Sequence, residues 1–128
     1  MIKVLALISG GAAGTLLRYY ISGWALKLFE GIFPWGTLTV NLVGSLLIGF
    51  FWGVFERGDL NANARLFLFI GLFGGFTTFS SFTLETLNLI KTGYINYAVI
   101  YVLISNIMGL ILVYLGYIFA RMILLSSR

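Results

Sequence analysis

The chain has no cysteine, no histidine and a single proline, and its 128 residues include only eight basic and four acidic side chains. Without cysteine there are no disulfides and no thiol chemistry. Without histidine the usual transition-metal ligands and the commonest proton-relay side chain are missing as well. Charged residues make up 9% of the chain and hydrophobic ones 60%, with a mean hydropathy of +1.04. Soluble domains carry about 25% charged residues, so a soluble globular domain is excluded. The net charge of +4 is scattered along the sequence, which suits anchoring at a membrane surface and excludes a nucleic-acid partner.

What is present is uncharged length. Residues 31–55, 66–84 and 92–120 contain no charge at all. Crossing a bilayer takes roughly 20 apolar residues, so each window suffices. A first segment, Val4 to Leu26, qualifies if Arg18 finds a protein or water partner. The sequence therefore predicts an all-α membrane protein with helices over 4–28, 35–55, 66–90 and 95–121, a single four-helix transmembrane domain over 1–128. Lys3, the apolar run and Gly10-Gly11-Ala12-Ala13-Gly14 mimic a signal peptide. Apolar sequence resumes through Leu26, and the segment is expected to persist as the first helix. Pro34 is expected in the first turn of the second helix, and Lys91-Thr92-Gly93 closes the third.

Four spans put both termini on one side. That side carries Lys3, Arg57, Arg65, Arg121 and Arg128, and the other Lys27 and Lys91, a five-to-two bias toward cytoplasmic termini.

Polar residues fall into stripes at helical spacing. The first helix aligns Gly10, Gly14, Arg18 and Ser22. This is either a small-residue packing face with a snorkelling arginine or a fixed positive charge in a water-filled vestibule. The second aligns Thr37, Asn41 and Ser45, and Asn41 offers two N–H donors either to a neighbouring helix or to an anion. The fourth aligns Tyr97, Tyr101, Ser105 and Gly109. Tyr94, Tyr97, Tyr114 and Tyr117 read as interfacial belt residues, whereas Tyr101 and Ser105 lie deeper.

The sharpest signal is the run from Gly74 to Glu85, Gly-Gly-Phe-Thr-Thr-Phe-Ser-Ser-Phe-Thr-Leu-Glu. Gly74-Gly75 is expected to break the third helix, with Thr77 and Thr78 bonding the freed carbonyls. Irregular backbone at membrane depth survives only inside protein or beside a watery path. Beyond the break, Phe79 and Phe82 lie at i+3, as do Ser80 and Thr83. Phenyl edges are positive, so rings presented edge-on can contact a small anion.

Taken together, these segments resemble the Fluc/CrcB family of small fluoride channels over nearly the whole length. The resemblance rests on Gly10–Gly14 with Arg18-Tyr19, on Trp35-Gly36-Thr37-Leu38-Thr39-Val40-Asn41-Leu42-Val43-Gly44, on Gly74–Glu85, and on Tyr101, Ser105 and Gly109. It implies four helices per subunit with a broken third helix, in an antiparallel, dual-topology homodimer with two fluoride pores. The fluoride pathway would comprise Asn41, Phe79, Phe82, Ser80, Thr83, Tyr101 and Ser105, with Arg18 in the vestibule and Glu85 the motif's acidic end. A structural sodium ion on the dimer axis would be held by backbone carbonyls of Gly74 and Thr77 from both subunits. The expected partners are fluoride, the lipid bilayer of a microbial inner membrane and a second copy of the chain, and no enzyme activity is implied. Two other classes compete. A four-helix proton-coupled multidrug exporter demands a carboxylate in the first helix, yet the acids are Glu30, Glu56, Asp59 and Glu85. A non-transporting assembly subunit leaves the stripes on all four helices unexplained.

Overall fold

The computed structural model describes residues 1–56 and 60–126; Arg57 and Arg128, counted above for topology, and Asp59 lie outside the described residues. Those described form α1 (Ile2–Leu28), α2 (Trp35–Phe55), α3 (Ala62–Arg65), a π-helical stretch (Leu66–Leu72), α4 (Phe73–Phe76), α5 (Phe79–Lys91) and α6 (Ile95–Ser126), with no strand among them. Four spans are long and apolar enough to cross a membrane: α1, α2, the composite Ala62–Lys91 and α6. The chain is a multi-pass membrane protein.

Span ends follow local chemistry. Lys27 and Lys91 sit in the last turns of α1 and α5, where a cation meets the negative end of the helix dipole. Pro34 lies one residue ahead of its expected place: it precedes the first turn of α2, and its carbonyl accepts the first bond, from Leu38 N–H at 3.1 Å. Gly93 adopts φ +85°, a left-handed conformation suited to glycine, and the chain reverses there into α6. Asn61 caps α3 by accepting from Ala64 N–H at 2.9 Å. Arg65 donates to Phe55 O at 2.9 Å, tying the polar connection to the end of α2.

Two glycine seams hold the bundle. A Cβ on Gly10 would collide with Phe67 O and stand 3.0 Å from Gly71 Cα, and one on Gly14 would collide with Leu72 O and stand 2.8 Å from Phe76 N. These neighbours are backbone, so α1 and the third span touch main chain to main chain. The α2–α6 seam repeats the device, with Gly49 against the Val113 carbonyl and Gly116 against Leu46 O. Apolar surface gains nothing by leaving lipid, so close backbone approach supplies the dispersion that joins transmembrane helices. Between the seams, Leu38, Phe82, Leu89, Ala98 and Tyr101 form a buried cluster.

The interruption of the third span differs from expectation. Gly74 and Gly75 remain helical within α4. The chain instead extends at Thr77 (φ −81°, ψ 157°) and Thr78 (φ −148°, ψ 115°). The reason for Gly75 is packing, since a Cβ there would stand 2.7 Å from Gly11 O. The seven-residue π-helical stretch ahead of it carries no proline and no polar residue in its sequence.

Candidate functional site

The interruption is built from two threonines and one asparagine. Asn41, midway along α2, accepts from Thr78 N–H through Oδ1 at 2.8 Å and donates from Nδ2 to Thr78 O at 3.1 Å. One side-chain amide thus replaces both helical partners of an extended residue at membrane depth. The helix-to-helix role of Asn41 is present in this geometry, and one N–H of its amide remains beyond that pair. Thr77 donates its hydroxyl to Phe73 O at 2.9 Å, but that carbonyl is not a freed one, since it also accepts from Thr77 N–H at 3.0 Å. Thr78 does something else: its Oγ1 accepts from Ser81 N–H at 3.2 Å and so caps α5.

These caps have a corollary. In an α-helix each N–H bonds the carbonyl four residues back. The N–H of Thr78 would reach Gly74 O, and that of Ser81 would reach Thr77 O. Both donors are drawn to side chains instead. The carbonyls of Gly74 and Thr77, the two that the family resemblance assigns to sodium, are among those the break deprives of helical donors. Gly74 is exposed, with open space where a Cβ would stand.

Beyond the break, α5 divides its faces. One face meets α1 and α2 around a cavity of about 420 Å³ lined by Thr15, Arg18, Ser22, Thr37, Thr78, Ser81 and Glu85 among others. The glycines of the first-helix stripe pack against backbone, while Arg18 and Ser22 further along it line this cavity. Among the described residues Arg18 makes no ion pair, and Arg121–Glu56 at 3.8 Å is the one such contact. Its guanidinium is a fixed positive charge within a hydroxyl-rich hollow.

Glu85 lies between the faces. Its Oε1 accepts from the Thr37 hydroxyl at 2.7 Å and its Oε2 from the Tyr101 hydroxyl at 2.8 Å. The carboxylate therefore joins α2, α5 and α6, and it engages one hydroxyl from the second-helix stripe and one from the fourth. On the other face, Phe82 is 8% exposed and packs against Tyr101, which is fully buried, at 5.1 Å between centroids. Phe79, 5.6 Å from Phe82 and tilted by 43°, is 76% exposed. Ser80 and Thr83 are exposed nearby, with Thr83 donating to Ser80 O at 3.0 Å. Ser105 has a buried hydroxyl with no hydrogen-bond partner among the described residues.

All ten residues proposed for the pathway or the sodium site thus fall on α1, α2, α6 or the region from Gly74 to Thr83. Asn41 lies against the break, Arg18 in the cavity beside it, and Phe82 and Tyr101 in contact on the opposite face. Sequence reasoning gave no role to Ser81 and left Glu85 without partners. Three separate elements meet at Glu85, and no local pattern announces such a meeting.

A profile of the family described as "CrcB-like protein, Camphor Resistance (CrcB)" matches residues 5–117. The chain belongs to the CrcB family. Among CrcB relatives, a protein named fluoride-specific ion channel FluC from Parabacteroides distasonis is 52% identical over 97% of this chain and 97% of its own length. A Thermus thermophilus protein of the same name is 45% identical, covering 90% of this chain and 91% of its own. One from Agrobacterium fabrum is 42% identical, covering 91% and 94%. The multidrug-exporter alternative finds no support in these relatives, nor in α1, which carries no carboxylate. CrcB membership accords with a non-enzymatic membrane channel.

Proposed function

We propose that the chain is a fluoride-specific channel that lets cytoplasmic fluoride leave a microbial cell passively across the inner membrane. The observation that carries this reading is identity along nearly the full length to proteins named as fluoride-specific channels. The site adds a physical rationale: Arg18, without an ion pair among the described residues, lies beside the break in a cavity lined by hydroxyls, and such a charge would attract an anion. Neutral hydrogen fluoride enters through lipid and dissociates in a less acidic cytoplasm. The membrane potential then drives the anion out, at about 2.3 kcal/mol per charge per 100 mV.

The finer reading is an antiparallel homodimer with two pores. It is supported by Phe79, whose open ring would complete its surroundings against a second subunit. The same arrangement would bring both sets of Gly74 and Thr77 carbonyls to one axis. Uncharged hard oxygens of this kind fit sodium better than calcium or magnesium, which favour carboxylates and waters. A bound sodium ion would supply positive charge to carbonyl dipoles that lack helical donors, as a structural element and not as cargo.

Purified protein in liposomes tests the function directly. Fluoride trapped inside should emerge, once counter-charge is relieved by a potassium ionophore, far faster than from protein-free vesicles, with no proton or sodium gradient required. Release that depends on a proton gradient, or none at all, overturns the reading. Orientation is tested separately by adding lysines at Ala62 and Asn63, which spares the Asn61 cap. Such a variant should lose activity alone and regain it beside an oppositely biased copy; full activity alone would argue for a parallel assembly.

A further inference from the structure

Two cavities of about 510 Å³ flank the α2–α6 seam near opposite ends. The one beside Glu56 has its charge satisfied, because the carboxylate accepts from the Tyr117 hydroxyl at 2.9 Å and faces Arg121 at 3.8 Å. The other lies beneath the α1–α2 connection, where Glu30, Phe33, Trp35 and Tyr97 surround its mouth. Among the described residues Glu30 makes no hydrogen bond or ion pair. Phe33 stands 4.7 Å from Trp35 at 51° and 6.1 Å from Tyr97 at 83°, so the three rings turn different faces and edges toward one space. Ile100 and Ile104 continue the lining down α6, one and two turns into the bilayer from Tyr97.

Aromatic faces set around a carboxylate are the chemistry that recognises an alkylammonium group. The isoleucine floor offers no complement to a hydrated inorganic cation, whereas it accommodates an acyl chain without cost. Glu30 falls two residues after α1 ends and five before α2 begins, at the boundary where headgroups lie. We propose that this cavity seats an aminophospholipid, its ammonium group between the rings of Phe33, Trp35 and Tyr97 against Glu30 and its acyl chain along Ile100 and Ile104. The site is independent of which ion the protein conducts. Phe33 also packs edge-on against Tyr101 at 5.6 Å, so the seated lipid would buttress the aromatic wall behind the Glu85 contact.

Native mass spectrometry of the detergent-solubilised full chain provides the test, with phosphatidylethanolamine and phosphatidylglycerol of identical acyl chains as probes. The wild type should retain the ethanolamine lipid roughly three- to tenfold better, as expected for one aromatic–ammonium recognition. Glu30→Gln and Tyr97→Leu should each abolish that preference while leaving phosphatidylglycerol retention unchanged. Glu30 sits on an exposed connection, so Glu30→Gln carries the test even where Tyr97→Leu fails to fold. Equal retention of both lipids by the wild type, or a preference that survives Glu30→Gln, overturns the proposal. Displacement of the lipid by soluble ethanolamine at matched concentration would also overturn it, since the site would then serve a free amine.

Discussion

The third span is two structures in one crossing. Up to Phe76 it is placed by shape: the π-helical stretch and α4 lie against α1 through glycine backbones, and no side-chain hydrogen bond joins the two among the described residues. From Thr78 onward it is placed by polar contacts, through Asn41 to Thr78, Thr37 to Glu85 and Tyr101 to Glu85. The first half tolerates no added volume at Gly71 and Gly75, where it faces α1. The second half tolerates volume at Phe79 but depends on where donors and acceptors fall. A first half set against α1 by backbone packing leaves the polar half free to be specialised for an ion.

The largest expected effect comes from testing shape. Gly14→Ala and Gly10→Ala should each destabilise the subunit by about 3 kcal/mol or more, because the colliding atoms are backbone and cannot move aside. Thermal unfolding in detergent, followed by circular dichroism, would show it; retained stability would mean that α1 can slide away from the third span. Next comes the polar half. Asn41→Asp keeps an acceptor for Thr78 N–H but sets a second oxygen against Thr78 O and adds negative charge near the anion route. A stability loss of about 1–3 kcal/mol should accompany abolished fluoride efflux. Wild-type efflux from this variant would remove Asn41 from the pathway.

The phenylalanines separate function from packing within one turn. Phe82→Ile should slow efflux sharply and also destabilise, since the ring is buried against Tyr101. Phe79→Ile should slow efflux with a stability change of about 0.5 kcal/mol or less, as expected for an exposed position in a single subunit. Normal efflux from both would make the rings packing residues only. The smallest effect belongs to Gly11→Ala. It adjoins Gly10, yet a Cβ there meets nothing within 4 Å. Stability should hold or rise by up to about 1 kcal/mol, the helix preference of alanine over glycine. A loss as large as that of Gly10→Ala would show that a further surface covers this face.

Much of this arrangement was legible in residue order. Uncharged windows, Lys27, Pro34 and Lys91-Thr92-Gly93 bracket the spans to within a few residues, because lipid leaves the backbone few choices. The interruption was legible as an event but not as a position. Glycine suggests a weak helix, yet Gly75 answers to the closeness of Gly11, and the actual extension falls on two β-branched residues that Asn41 can hold. The π-helical stretch left no sequence trace, since its residues are ordinary apolar ones. Glu85 is separated from its partners by 48 and 16 residues, so its role became visible only when α2 and α6 were set beside α5. Tyr97, an interfacial residue by sequence, proved to be one wall of an aromatic mouth.

The pairing of Asn41 with Thr78 also bears on the order in which the protein is made. Asn41 precedes its partner by 37 residues, so α2 has left the ribosome before the interrupted span is complete. Had the partner come from α6, the extended peptide would have waited for another span to be synthesised with its N–H and C=O facing hydrocarbon, at several kcal/mol for each unmet group. Drawing the amide from an earlier span means that the extended peptide at Thr78 meets its satisfier on arrival, in chain order.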